Sequence, residues 1–171
     1  MKKALFLDRD GVINIEKDYL YKVEDFEFID GIFELCKYYQ DLGYLIIVVT
    51  NQSGIARNFY NESDFDILIR WMINEFNKKN IMITHVYYCP HHPDITGNCE
   101  CRKPEPGMFI KAKRDFDIDL SHSVMIGDNE RDILAALNAG IRESYLLNEK
   151  QNIKESKATR IVSKLDEIWK K

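Results

Sequence analysis

Buried strands and amphipathic helices alternate along the whole chain. Continuous apolar runs at residues 4–7 and 44–49 predict strands covered on both faces, because such strands show no polar alternation. Apolar residues at helical spacing predict a helix at 30–43, with Asp30 as its N-cap, and a second helix that Asn61 caps and that ends near residue 80. Further strands are predicted at 81–88, 123–126, 144–147 and 159–162, and further helices at 106–116, 130–139 and 163–170. The alternation indicates an α/β fold with a mainly parallel sheet and helices on both faces.

The composition is that of an ordinary globular protein. The 171 residues are 45% hydrophobic and 30% charged, which favours one folded domain over residues 1–171 and excludes a disordered chain. The formal net charge of −4 disfavours nucleic-acid binding, because the chain has no positive field to displace phosphate counterions. No window approaches about 18 consecutive apolar residues, and the apolar run near the N-terminus is too short for a signal peptide. We therefore expect a cytoplasmic protein that does not bind membranes.

Polar residues follow the predicted strands where ligands bind in parallel sheets, beyond the carboxyl ends of the strands. Two of them, Asp8 and Asp10, are two residues apart and can face one crevice, where paired carboxylates favour Mg²⁺. A polar turn is the alternative explanation. Asp128 follows another strand and extends the acidic set, whereas Asp132 also fits a simple helix-capping role. The complete set is Asp8, Arg9 and Asp10; Thr50, Asn51, Gln52 and Ser53; Cys89; and Gly127, Asp128 and Asn129.

Taken together, these residue types suit phosphoryl transfer. Asp8 would attack phosphorus, while Mg²⁺ and Lys103 neutralise the phosphate and Thr50 orients it. Asp10 would protonate the leaving oxygen and then activate water. Asn51 and Arg102 offer further phosphate contacts, although each basic or amide side chain alone also fits an ordinary surface position.

Three of the four cysteines are clustered with a histidine in one loop, at residues 89–103. Cys89, His91, Cys99 and Cys101 form a C-x-H pair and a C-x-C pair, a ligand set that suits a closed tetrahedral Zn²⁺ site. Reduced surface cysteines, or iron in place of zinc, are the alternatives. A structural zinc would order a loop that has almost no apolar residues. Cys36 lies in a helical pattern and is expected in the core.

Four segments carry a family resemblance. In this order, FLDRDGVIN, VVTNQSGIA, CRKPEPGM and GDNERD resemble the four motifs of the haloacid-dehalogenase (HAD) superfamily of phosphatases, over about residues 3–140. The spacing leaves no room for a cap domain, so the chain resembles the capless branch, which has a three-layer Rossmann-like core. The zinc loop before the lysine resembles a subgroup with two activities, histidinol-phosphate phosphatases and D-glycero-D-manno-heptose-1,7-bisphosphate 7-phosphatases. The segments DRDGVIN, FEFIDG, VVTNQSGIAR and YYCPHHP are more similar to the heptose group.

The resemblance implies specific roles. It implies that Asp8 is the nucleophile, that Asp10 is the proton donor, and that Asp8, Asp10 and Asp128 bind Mg²⁺. The implied reaction is hydrolysis of the C7 phosphate of a heptose bisphosphate through an aspartyl-phosphate, in ADP- or GDP-heptose biosynthesis for surface sugars. We expect a monomer whose partner is this small phosphorylated sugar. Arg102 would bind the distal phosphate, and the implied substrate-binding residues are Arg9, Glu16, Lys17, Asp18, Tyr19, Asn51, Gln52, Ser53, Arg102 and Asn129.

Two departures keep alternatives open. The loop between His91 and Cys99 is shorter than in the heptose group, and position 129 is Asn where that group has a substrate-contacting Lys. A histidinol-phosphate phosphatase therefore remains an alternative. From other classes, a receiver-like signalling module also presents acids, a Thr and a Lys on a parallel sheet, but Asp10 supplies an acid-base group that a stable phospho-signal should lack. A zinc-loop interaction module with incidental acids is a third possibility.

Overall fold

Six parallel strands form one sheet in the computed structural model, which describes residues 1–170. The strands are β1 Ala4–Leu7, β2 Leu45–Asn51, β3 Ile83–Cys89, β4 Val124–Gly127, β5 Glu143–Leu147 and β6 Arg160–Val162. Their order across the sheet is β3-β2-β1-β4-β5-β6, and every neighbouring pair is parallel. The predicted parallel α/β fold is confirmed.

Helices cover both faces of this sheet. They are α1 Ile32–Asp41, α2 Glu62–Asn77, α3 Pro93–Thr96, α4 Gly107–Phe116, α5 Glu130–Ala139 and α6 Asp166–Trp169, with short 3-10 helices at Val23–Asp25 and Leu120–His122. Side chains alternate along β1, so Leu5 and Leu7 pack with α1, α2 and α6 on one face. Ala4 and Phe6 pack with α4 and α5 on the other. Within residues 1–170, no helix has the length and apolar character needed to cross a membrane.

The boundaries differ from the predictions where backbone conformation overrides the side-chain pattern. Asp30 does not cap α1: the helix follows Gly31, whose φ of +86° places it in the left-handed region, and no side chain caps the first turn. The predicted loop after β3 contains the short helix α3, which starts at Pro93 and is capped by His92. Strand β2 is longer than predicted and includes Thr50, so this side chain is positioned by the sheet rather than by a turn.

The predicted cap of α2 is confirmed and can be tested. Asn61 accepts a hydrogen bond from the Asp64 backbone N–H at 2.8 Å, and the Asp64 carboxylate accepts one from the Asn61 N–H at 3.0 Å. We expect Asn61→Ala to lower the free energy of unfolding by about 1 kcal/mol in urea titration, because the Asp64 N–H in the first turn loses its side-chain acceptor. Asn74→Ala, the same substitution on the exposed interior of α2, should leave stability unchanged or slightly higher. Equal effects of both substitutions would contradict the capping role.

Candidate active site

Three carboxylates meet at the carboxyl end of the sheet. Strand β1 lies between β2 and β4, and the Asp8 N–H donates to the Ile126 carbonyl at 3.1 Å, which brings Asp8 beside the loop after β4. There, carboxylate oxygens of Asp8, Asp128 and Asp132 lie within 4.8 Å of one another. Gly11 allows this approach: its φ is +89°, and a Cβ atom on it would lie 1.9 Å from an Asp128 oxygen.

Lys103 is buried against this carboxylate cluster. Its ammonium group donates to Asp8 Oδ1 at 3.0 Å and to the Val49 carbonyl at 2.8 Å, and lies 2.7 Å from Asp132 Oδ1. The Asn51 side chain holds the Lys103 backbone at both ends, accepting from its N–H at 3.1 Å and donating to its carbonyl at 3.3 Å. The lysine is therefore positioned by the strand ends and by the loop that contains it.

The cluster carries more negative charge than Lys103 can balance. Burial, and then the Asp132 charge, raise the pKa of Asp8 well above its usual value, although Lys103 acts in the opposite direction. The same two causes raise the pKa of Asp128 to about 7. Burial alone would lower the pKa of Lys103, but Asp132 and Asp8 raise it. Three hard oxygen ligands with unbalanced charge are a donor set that fits a divalent cation such as Mg²⁺.

Asp10 faces a different set of partners from Asp8. Its carboxylate accepts from the Arg9 guanidinium at 2.7 Å, from Asn14 at 3.0 Å and from the Gln52 amide at 3.1 Å, and it is outside the three-carboxylate cluster. Of the three implied Mg²⁺ ligands, the structure thus brings the side chains of Asp8 and Asp128 together but not that of Asp10. The hydrogen bonds instead hold the Asp10 carboxylate in one orientation.

Gln52 links Asp10 to β2 and to the following loop. This side chain is 2% exposed; its amide also donates to the Thr50 hydroxyl at 2.9 Å, and its carbonyl accepts from the Tyr60 hydroxyl. Burial is the main cause that raises the pKa of Tyr60 to about 12, so this hydroxyl keeps its proton and donates. Gln52 therefore acts as a positioning residue as well as part of the cavity wall.

A cavity of about 260 Å³ opens above Asp10. Most implied substrate-binding residues line it, together with four that the sequence did not single out: Gly54, Arg57, Tyr60 and Arg131. The full lining is Asp10, Glu16, Asp18, Tyr19, Asn51, Gln52, Ser53, Gly54, Arg57, Tyr60, Arg102 and Arg131. Partial loss of hydration, and then the charges of Asp10 and Asp8, raise the pKa of Glu16 to about 7.

Three implied substrate-binding residues lie outside this cavity. Arg9 is 1% exposed and pairs with Asp10 at 2.7 Å, a placement that fits a positioning role, while its contact with substrate stays a prediction. Lys17 points away and forms an ion pair with Glu27 at 2.6 Å. Asn129 is the N-cap of α5, where its side chain accepts from the Arg131 N–H at 3.1 Å.

The same capping box explains Asp132. Its Oδ2 accepts from the Asn129 N–H at 3.1 Å, as the sequence alternative suggested, while its Oδ1 contacts Lys103. Gly127 makes room for it, because a Cβ atom there would lie 2.3 Å from the Cβ of Asp132. One residue therefore caps the helix and belongs to the charged cluster.

The soft ligands predicted for zinc form a second cluster, Cys89, His91, Cys99 and Cys101, with ligand atoms within 4.8 Å of one another. The Cys99 sulfur lies 3.6 Å from each of the other two sulfurs, and His91 Nδ1 lies 3.2 Å from the Cys101 sulfur. The Cys89 and Cys101 sulfurs lie closer together, at 2.7 Å. A tetrahedral Zn²⁺ separates its sulfurs by about 3.8 Å, so the distances from Cys99 match a bound ion, whereas the Cys89 and Cys101 sulfurs would have to move apart by about 1 Å.

The thiols of the cluster differ in acidity. Partial burial would raise the pKa of Cys99, but hydrogen bonds from the backbone N–H groups of Arg102 and Cys101 outweigh it and lower the pKa to about 7. Burial, together with its contact with Cys101, raises the pKa of the Cys89 thiol. Cys36, in contrast, is fully buried in the core, as expected.

Known proteins resemble this chain along nearly its full length. The family model described as HAD-hydrolase-like matches residues 100–168. A D-glycero-alpha-D-manno-heptose-1,7-bisphosphate 7-phosphatase from Campylobacter jejuni is 55% identical over 97% of this chain and 93% of its own length. The corresponding beta enzyme of Haemophilus ducreyi is 41% identical over 98% of this chain and 96% of its own length.

A solved structure shares the fold as well. The D,D-heptose 1,7-bisphosphate phosphatase of B. bronchiseptica, determined with magnesium and phosphate, superimposes with a TM-score of 0.83. It is 28% identical in sequence, and the match covers 97% of this chain and 95% of that protein.

Proposed function

Because this chain belongs to the D-glycero-D-manno-heptose-1,7-bisphosphate 7-phosphatases of the HAD superfamily, we propose that it hydrolyses the C7 phosphate of such a heptose bisphosphate. The products are the heptose 1-phosphate and inorganic phosphate. The observation that carries the proposal is the placement of Asp8 against Lys103 at the carboxyl end of the sheet, with Asp10 held separately by other partners. This arrangement supplies a nucleophile, a cation and an acid-base group to one crevice.

The first step forms a bond between an Asp8 carboxylate oxygen and phosphorus and breaks the bond between phosphorus and the C7 oxygen. Lys103 contacts Asp8 at 3.0 Å and is thereby placed to offset the negative charge of the transferring group. Asp10 donates a proton to the departing sugar oxygen, in the orientation that Arg9 and Gln52 impose on it.

The second step reverses the role of Asp10. The carboxylate that lost its proton takes one from water, whose oxygen attacks the aspartyl-phosphate and releases inorganic phosphate and free Asp8. A nearby acid-base group favours rapid hydrolysis over a long-lived phosphoryl group. This distinguishes the proposed phosphatase from a receiver-like signalling module.

Mg²⁺ is the cofactor that we assign to the carboxylate cluster, with Asp8 and Asp128 as side-chain ligands. When bound, it supplies a positive charge that stabilises the charge on the transferring phosphate. Support comes from the close approach of these carboxylates, whose oxygens lie within 4.8 Å of one another. Their pKa values are raised, because burial and neighbouring negative charges disfavour the ionised form, and a bound cation would relieve this repulsion.

We assign Zn²⁺ to the cysteine cluster as a structural metal. Cys89, His91, Cys99 and Cys101 complete a four-ligand set that leaves no position for substrate or water. The chain continues directly from Cys101 into Arg102 and Lys103, so an ordered loop would place both cations.

A specificity panel tests the proposed substrate. Both anomers of the heptose 1,7-bisphosphate, histidinol phosphate and simple sugar phosphates are assayed with Mg²⁺ on one preparation. We expect kcat/KM for one heptose anomer to exceed that for histidinol phosphate by at least about 100-fold, because a site that pairs with a second phosphate penalises a substrate lacking it. The reverse preference would favour a histidinol-phosphate phosphatase. No turnover together with tight binding of a protein partner would favour the interaction module.

A further inference from the structure

Three arginines line the cavity above Asp10, and none of them is paired with a carboxylate in residues 1–170. They are Arg57, Arg102 and Arg131. Arg57 contacts the His92 ring at 3.0 Å and has a buried Nε without a partner, and Arg102 donates only to the His91 carbonyl at 3.4 Å. The acids Glu16 and Asp18 line the same cavity without forming an ion pair with any of the three. Guanidinium groups in this state have donors available for a ligand anion.

Arg131 stands out because it occupies a helix position that is unfavourable for a cation. It lies in the first turn of α5, where the helix dipole disfavours a cation, and its side chain is exposed. The capping box of this helix uses the side chains of Asn129 and Asp132 and only the backbone N–H of Arg131. The guanidinium therefore contributes to the cavity and not to the helix.

The topology places Arg131 opposite Arg57. Arg57 lies in the loop after β2 and Arg131 lies after β4, and these two strands flank β1, which ends at Asp8. A substrate that extends from Asp8 into the cavity lined by both arginines would come within reach of each guanidinium. The Asn129 side chain is used in helix capping, so the positive charge on this side of the cavity comes from Arg131.

We propose that Arg131 is a specificity-determining residue that binds the second phosphate of the substrate, the one that is not hydrolysed. This inference rests on the proposed function, because it needs a substrate with two phosphates. A guanidinium matches phosphate oxygens in a bidentate geometry that an asparagine cannot offer.

The test compares Arg131→Ala with the wild-type enzyme on two substrates, the heptose 1,7-bisphosphate and the heptose 7-phosphate. We expect KM for the bisphosphate to rise about 10-fold with kcat within about 2-fold, and both constants for the 7-phosphate to stay unchanged. Arg131→Lys should recover part of the loss. The melting temperature should be unchanged or higher by about 1–2 °C, because the dipole penalty is removed.

Arg142→Ala is the matched control, since Arg142 is exposed and precedes β5, at the amino end of the strands and away from the cavity at their carboxyl end. It should leave both substrates unaffected. Equal loss on both substrates, or no change on the bisphosphate, would overturn the assignment to Arg131. If the wild-type enzyme turns over neither heptose substrate, the proposed function is refuted. In that case, KM of Arg131→Ala and of the wild type is measured with fructose 1,6-bisphosphate and fructose 6-phosphate. A ratio of variant KM to wild-type KM that is the same for both sugars would overturn the role of Arg131.

Discussion

Asp8→Asn is expected to lower kcat/KM by at least about 10⁴-fold while the protein remains folded. An amide oxygen is a poor nucleophile and cannot form the acyl-phosphate, so only residual binding contributions to the rate would survive. The fold should tolerate the change. Burial and the neighbouring acids raise the pKa of Asp8, which means that the ionised carboxylate is disfavoured in the folded state. Lys103 keeps Asp132 and the Val49 carbonyl as partners.

Steady-state kinetics with Mg²⁺ and thermal unfolding measure the two parts of this prediction. Asp66→Asn, which changes an exposed aspartate on α2 paired with Arg70, should retain wild-type activity. Mass spectrometry of enzyme quenched with acid during turnover should find a phosphoryl group on the wild-type peptide that contains Asp8, and none on the variant. Wild-type turnover by Asp8→Asn would disprove the nucleophile assignment. A phosphoryl group that persists on the wild-type protein for hours would instead support the signalling alternative.

Loss of the cysteine cluster should affect stability and activity together. We expect Cys101→Ala to lose bound zinc, to lower the free energy of unfolding by at least about 2 kcal/mol and to reduce kcat/KM about 100-fold. In our proposal the metal orders the loop around the cluster, and Lys103, two residues after Cys101, lies 3.0 Å from Asp8. A small displacement of this ammonium group is costly because the reaction depends on its position.

Cys36→Ala provides the matched comparison in the same chain. Cys36 is fully buried on α1, so its replacement should destabilise the core by about 1 kcal/mol yet leave the zinc content and kcat unchanged. Elemental analysis, urea titration and kinetics are measured on all three proteins. Absence of stoichiometric zinc in wild-type protein purified without chelators would contradict the structural metal, whatever the effect of either substitution on stability.

Local pattern was sufficient for most of the helices and strands and for the cysteine and histidine ligand set. The apolar runs of β1 and β2 predict buried strands because a strand covered on both faces cannot alternate with polar residues. Asn61 predicts the start of α2, because its side chain caps the backbone N–H of Asp64, three residues further along the chain. The cysteine spacing likewise brings ligands together within one loop. These features are formed by residues that are close together in the chain, so they can be predicted from the sequence without the fold.

Side-chain direction at the ends of the strands was decided by the tertiary structure. Three residues that follow strands were predicted to bind substrate: Arg9, Gln52 and Asn129. In the structure, Arg9 and Gln52 donate hydrogen bonds to Asp10. The Asn129 side chain instead caps a helix. Arg57 and Arg131 lie inside two of the family-like segments, yet neither their type nor their spacing marks them as ligands, because exposed arginines are common. Only the order of the sheet, with β1 between β2 and β4, makes them face one cavity. Contacts between residues far apart in the chain depend on how strands pair and helices pack, and no local pattern specifies that geometry.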